Sequence, residues 1–109
     1  SPDGVFVEDL EGNVLDVNPA AVALQGIERE RLIGMNVAQL VPAENRDEAM
    51  ANFRRLASGE IDRIEGFTLT GGGRSIPVEV HVRSMEYSGE PALLIQVRDM
   101  TERKEHEAR

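Results

Sequence analysis

The chain has 109 residues, of which 40% are hydrophobic and 29% charged, and its formal net charge is -8. These values are typical of one soluble globular domain without a membrane-spanning segment, and the acidic charge argues against nucleic-acid binding and against contact with anionic membranes. The absence of cysteine excludes disulfides, thiolate nucleophiles, iron-sulfur ligation and cysteine adducts.

The N-terminal segment predicts a β-hairpin followed by a helix. V-F-V at 5–7 and V-L-D-V at 14–17 are rich in strand formers, and L-E-G-N at 10–13 supplies the turn between them. Asn18 and Pro19 then suit a helix start. Asn18 can cap the first turn, and the fixed backbone angle of Pro19 fits the first helical position.

Two further helical segments are predicted in the middle of the chain. A short one covers residues 28–32, and a longer one begins near Pro42 and ends at Ser58. The longer segment has acids in its early turns and Arg54 and Arg55 near its end, as the helix dipole favours. Its apolar residues recur at intervals of three and four, which predicts one buried stripe. The stripe consists of Ala49, Met50, Phe53, Leu56 and Ala57.

The C-terminal half predicts three strands and a final helix. Residues 64–70 and 76–82 alternate apolar with polar side chains on either side of a glycine turn at 71–73. A turn at 88–91 precedes a strand at 92–98, after which T-E-R-K-E-H-E-A-R is rich in helix formers. A core strand that passes directly into a helix can carry a displacement outward, as expected of a sensory or regulatory module.

The predicted order of elements is β-β-α-α-α-β-β-β. Two hairpins on either side of a helical segment imply an α+β fold, in which helices cover one face of an antiparallel sheet. A cavity between the two layers is then the natural ligand site.

Five ordered stretches carry a family resemblance. They are D-G-V-F-V-E-D, G-N-V-L-D-V-N-P-A-A, L-Q-G-I-E-R-E-R-L-I-G-M-N, S-I-P-V-E-V and V-R-D-M-T-E-R-K. Together they resemble the PAS domain, the sensory module of histidine kinases, cyclic-dinucleotide enzymes and bacterial transcription regulators. The resemblance covers nearly the whole chain and implies a five-stranded antiparallel sheet with helices closing a pocket over its inner face.

The resemblance also implies a role for the end of the last strand. Asp99, Met100 and Thr101 match the D-I-T junction through which family members pass a signal to a following helix. We therefore expect a sensor domain over 1–100, with its N-terminal cap truncated, and the start of a signalling helix at 101–109. Capping is a second role for these residues, because Asp99 or Thr101 can cap that helix and Asp99 with Glu102 has capping-box spacing.

The residues argue against the cofactors of several relatives. Flavin-binding relatives carry N-C-R-F-L-Q where this chain has N-V-A-Q-L-V at 36–41, so Val37 replaces the cysteine that forms the flavin adduct. A thioester-linked chromophore needs the same thiol. Haem-binding members take a histidine from the long helix, whereas the two histidines here are His81 and His106. His81 alternates with valines and is expected to face away from the pocket.

An apolar pocket remains, and it suits a small non-covalent ligand or metabolite. Its candidate lining residues are Phe6, Leu24, Leu40, Met50, Phe53, Leu56, Val78, Val80, Val82, Ile95 and Val97. Ordinary core packing also explains each of them, and Met50 and Phe53 are the better candidates for ligand contact. We expect neither a catalytic site nor a metal site, because the sequence has no nucleophile–base pair or metal-ligand spacing.

The alternative function is a ligand-free interaction module with a filled core. Leu94, Gln96 and Arg98 share the outer face of the last strand, and Val5 and Val7 add apolar surface to it. We expect a second copy, as a homodimer, or an N-terminal helix to cover this face. The expected setting is cytoplasmic, in a parent protein that can be membrane-anchored and that carries a C-terminal output domain such as a histidine kinase.

Overall fold

The computed structural model describes residues 2–108. Its elements are β1 (Gly4–Glu8), β2 (Val14–Val17), α1 (Pro19–Gln25), α2 (Arg29–Leu32), two 3₁₀ turns (Val37–Leu40 and Ala43–Asn45), α3 (Arg46–Ala57), β3 (Arg63–Leu69), β4 (Ser75–Tyr87), β5 (Glu90–Asp99) and α4 (Thr101–Glu107). The predicted order of strands and helices is confirmed, and the two 3₁₀ turns are additional.

All five strands form one antiparallel sheet in the order β2-β1-β5-β4-β3. The last strand along the chain therefore lies at the centre, between β1 and β4. The predicted α+β fold with a five-stranded antiparallel sheet is confirmed. Strand β4 is longer than the alternating segment 76–82, because Ser88 and Gly89 both have positive φ (51° and 81°) and make a tight turn.

The side chains of each strand alternate between two faces, which we call the inner and the outer face. The inner face carries the core, in which the buried residues of the sheet pack with those of the helical segment. These are Phe6, Val14, Ile76, Val78, Val82, Leu93, Ile95 and Val97 from the strands, with Leu32, Leu40 and Leu56 from the helical segment.

Strand β3 turns Thr68 inward and Phe67 outward. Thr68 is buried opposite Ile76, whereas Phe67 pairs with Pro77 on the outer face and is 46% exposed. The Thr68 hydroxyl lies 2.9 Å from the Leu40 carbonyl oxygen. This hydrogen bond satisfies a polar group that burial would otherwise penalise.

Asn18 connects the first hairpin to α1. Its Oδ1 accepts hydrogen bonds from the backbone N–H groups of Val5 and Ala21, both at 2.9 Å, and its Nδ2 donates to the Asp3 carbonyl oxygen at 3.2 Å. The predicted capping role of Asn18 is confirmed by the bond to Ala21. The bond to Val5 also fixes the start of β1 against the start of the helix.

We predict that Asn18→Ala lowers the free energy of unfolding by about 1–3 kcal/mol, because it removes the side-chain acceptor of the Val5 and Ala21 N–H groups and leaves Ala21 only the carbonyl oxygen of residue 18. Asn18→Asp is the matched control, since it keeps both acceptor bonds and loses only the donor to Asp3. Its loss should be smaller. Urea unfolding of the three proteins measures the difference, and equal losses for the two variants would contradict this role.

Candidate functional site

A cavity of about 350 Å³ lies between α3 and the inner face of the sheet. This volume is in the range of small-molecule sites. Helix α3 contributes Ala49, Asn52 and Phe53 to the wall, because its apolar stripe faces the sheet. The inner-facing side chains of the strands form the opposite wall.

Most of the predicted lining residues lie on this wall. They are Phe6, Leu40, Phe53, Leu56, Val78, Val80, Val82, Ile95 and Val97. Val37, at the position of the flavin-relatives' cysteine, also lies there. Contact of any of these side chains with a ligand stays a prediction.

Leu24 and Met50 lie outside the wall. Leu24 is half-buried and packs against the core from α1. Met50 belongs to the apolar stripe of α3, but it is rotated about 100° around the helix from Ala49. The stripe is therefore wider than the cavity beneath it, and Met50 lies outside the wall to which Phe53 and Ala49 belong.

Three buried polar residues on the wall, Glu8, Gln25 and Thr68, were missed by the sequence analysis. The signal for Glu8 was present, because Gly4, Phe6 and Glu8 share one face of a strand by simple alternation. It was overlooked because acidic residues are seldom fully buried.

Gln25 and Thr68 satisfy each other and the nearby backbone. Gln25 Nε2 donates to the Leu69 carbonyl oxygen at 3.0 Å. The single proton of the Thr68 hydroxyl is shared between Gln25 Oε1 at 3.0 Å and the Leu40 carbonyl oxygen at 2.9 Å. This network joins the end of α1 to β3. It contributes to the shape of the cavity, and its polar groups are already engaged.

Glu8 differs from them. It is 3% exposed and lies opposite Val14 on β2 and Leu93 on β5. Its Oε1 is buried and has no hydrogen-bond partner among residues 2–108. Burial, with a smaller contribution from the charge of Asp9, raises the pKa of Glu8 to about 8. The carboxyl group is therefore mostly protonated at neutral pH.

Charged residues lie at the rim of the cavity. Glu48 on α3, Glu65 on β3 and Lys104 on α4 belong to its wall. Lys104 Nζ is 3.4 Å from Glu65 Oε1 and 3.9 Å from Glu107 Oε2. The terminal helix thus reaches the cavity.

Met100 alone separates β5 from α4. It is 6% exposed, and its N–H donates to the Pro77 carbonyl oxygen at 2.8 Å. Asp99 Oδ1 accepts from the Thr101 N–H at 2.8 Å, but Asp99 lies one residue before the N-cap position, which Met100 occupies without a side-chain cap. Thr101 does not cap, since its Oγ1 is buried without a hydrogen-bond partner in the described chain, and no capping box with Glu102 forms at this helix start.

The outer face carries His81, Gln96 and Arg98 beside Val5 and Leu94. His81 is exposed, with Nε2 3.2 Å from Glu79 Oε1, and so faces away from the cavity as predicted. Within residues 2–108 there is no cluster of histidine and acidic side chains suited to a metal ion. The helices of that range are also too short or too polar to cross a membrane.

A family model described as PAS fold matches residues 1–105. The chain is 27% identical to a methyl sulfide methyltransferase-associated sensor of Methanosarcina acetivorans, over 96% of the chain and 11% of that protein. It is 32% identical to the sensor protein FixL of Bradyrhizobium diazoefficiens, over 99% of the chain and 22% of that protein. The chain thus spans a small part of these relatives. Its fold matches the PAS domain of a Desulfitobacterium hafniense protein with a TM-score of 0.82, at 22% identity, covering 91% of this chain and 93% of that one.

We predict that Glu8→Gln stabilises the fold increasingly as the pH rises. The unfolded chain loses the Glu8 proton near the ordinary value of 4.5, whereas the folded protein keeps it to about pH 8. The free energy of unfolding of the unsubstituted protein therefore falls across this window, by up to about 1.4 kcal/mol per pH unit. Glutamine has no such proton, so the variant does not share this fall.

Urea unfolding at several pH values across that window measures the difference between the two proteins. Glu48→Gln makes the same chemical change at an exposed rim position and controls for net charge. Parallel stability curves for Glu8→Gln and the unsubstituted protein would contradict the prediction.

Proposed function

The chain belongs to the PAS family, and we propose that it is a non-catalytic sensor domain whose cavity binds a small non-covalent ligand and reports occupancy through β5 and α4. One observation carries this proposal: residues of the cavity wall lie next to the junction between β5 and α4. Val78 and Val97 lie on the wall, and Lys104 of α4 lies at its rim.

The register of the central strands supports the coupling. Val97 pairs with Val80, and Asp99 pairs with Val78. A shift of Val97 against Val80 therefore also moves Asp99, two residues further along the same strand. A ligand drives such a shift only to the extent that it binds one arrangement more tightly than the other.

Two contacts hold α4 in its present position. The Met100 N–H bonds to the carbonyl oxygen of Pro77, the residue next to Val78 of the cavity wall. The Lys104–Glu65 pair is exposed and contributes less than about 1 kcal/mol. The backbone bond of Met100 holds the start of α4, whereas the weak Lys104–Glu65 pair can break. This combination suits a helix that pivots at its first residue.

The names of the sequence relatives support a sensory role, since both are described as sensors. We propose that an output domain such as a histidine kinase receives the signal from α4, and that the domain works in the cytoplasm. Asp99, Met100 and Thr101 are the proposed coupling residues.

A second use, dimerisation, has its own support on the outer face. Val7 pairs with Leu94 and Val5 with Gln96, so these half-buried side chains form a continuous strip across β1 and β5. A second copy of the chain or a preceding helix can cover this strip. The cavity favours ligand sensing over the alternative of a filled core.

We predict that Ala49→Phe prevents ligand retention, because a phenyl group on the wall occupies part of the cavity. Ala51→Phe is the matched control on the same helix, outside the wall. Native mass spectrometry of protein purified from its own host should show an added mass on the unsubstituted and Ala51→Phe proteins and none on Ala49→Phe. Bare protein in all three samples would count against ligand sensing.

We predict that Asp99→Ala combined with Thr101→Ala uncouples the output from the stimulus. The change removes the side-chain bond that fixes the first turn of α4 to the end of β5. It is measured as output activity, with and without stimulus, in a protein that carries both domains. Glu102→Ala, exposed on the same turn, should respond normally. A normal response from the double variant would rule out this route.

A further inference from the structure

We propose that the ligand of this cavity is a small amine, with an apolar body against the core side chains and its ammonium group against the Glu8 carboxyl. The inference rests on the proposed ligand-binding function and adds the chemical class of the ligand.

Glu8 is the one buried acidic residue in the described part of the chain. It is almost fully buried, it lies on the cavity wall, and its Oε1 has no hydrogen-bond partner among the described residues. A buried polar atom without a partner typically costs about 1–3 kcal/mol. Gln25 and Thr68, buried on the same wall, have partners from the protein. An N–H donor on a ligand would supply what Glu8 lacks.

The elements around Glu8 present no cation to it. Strands β2 and β5 place Val14 and Leu93 opposite it, and the first 3₁₀ turn contributes Val37 and Leu40 to the same wall. The residue that follows Glu8 in the chain is Asp9, an acid whose charge also raises the pKa of Glu8.

The remaining charges on the wall are at the rim. They are Glu48 from α3, Glu65 from β3 and Lys104 from α4. The single base, Lys104, already pairs with Glu65 and Glu107. Because Glu8 is protonated in the free protein, the charged groups on the wall are two acids and one base, and this excess of negative charge favours a cation over a carboxylate ligand.

The rest of the wall is apolar. Phe6, Phe53, Val82 and Ile95 face the same space as Glu8, and about 350 Å³ admits an amine of modest size but not a large cofactor. A neutral alcohol fits the same space, but it gains no ion pair. The charge of the wall therefore favours the amine.

Binding an ammonium ligand moves one proton. Free Glu8 is mostly protonated at neutral pH; on binding, its O–H bond breaks, the proton goes to solvent, and the carboxylate accepts the N–H of the ligand. The affinity for an amine should therefore rise with pH up to about pH 8, by up to about tenfold per pH unit. An alcohol should show no such rise.

The test uses three probes with a common phenylethyl body: 2-phenylethylamine, 2-phenylethanol and 3-phenylpropanoate. Isothermal titration calorimetry near neutral pH, in two buffers of different ionisation enthalpy, measures both affinity and proton release. The unsubstituted protein should bind the amine most tightly and release close to one proton per ligand.

Glu8→Gln should abolish proton release and weaken amine binding by about tenfold to a hundredfold, the usual range for loss of a charged hydrogen-bond partner. Glu44→Gln makes the same chemical change at an exposed position outside the wall and should keep both properties. Thermal unfolding of the same samples verifies that Glu8→Gln remains folded. We expect it to be folded, because this variant is predicted to be more stable than the unsubstituted protein at neutral pH.

Equal or tighter binding of the alcohol or the carboxylate, or unchanged amine binding by Glu8→Gln, would overturn the inference while leaving the ligand-binding function in place. If none of the probes binds but protein from its own host carries an added mass, the amine class is wrong and ligand sensing stands. If that mass is absent as well, both proposals fail.

Discussion

The pairing of β5 with both β1 and β4 is the constraint on which the rest of the structure depends. It places the last strand at the centre of the sheet and fixes which side chains face the helices. A slip of one residue would turn Ile95 and Val97 outward and destroy both the core and the cavity. The same pairing sets Glu8 opposite Leu93 and brings Asp99 beside Val78. The register of β5 therefore determines both the position of the site and that of the strand–helix junction.

Local patterns predict the elements of this fold well. The alternation of β4, the spacing of α3 and the cap at Asn18 all specify structure over a few residues, and the structure agrees with them. The cavity is harder to predict, because its position depends on how α3 lies across strands far away in sequence. Met50 illustrates this: periodicity places it on the apolar stripe, but only packing decides which edge of that stripe meets the cavity.

The buried polar residues were also difficult to predict from the sequence. Thr68 turns inward because Gln25 and Leu40 provide its hydrogen-bond partners, and those partners come from distant segments. Acidic residues usually lie at the surface, whereas the alternation along β1 places Glu8 on the inner face. The two signals therefore disagreed at this position. The engaged pair stabilises one arrangement of the core, whereas the unpartnered acid stores free energy that a ligand can recover.

The single residue between β5 and α4 has a consequence for anything that continues this helix. Because Met100 is buried and bonded to Pro77, the sheet fixes how α4 is rotated about its own axis. Each added residue turns a helix by about 100°, so inserting one residue after Met100 would present a different side of every later turn. The domain therefore sets the rotational phase of a helix that continues from α4, as well as its position.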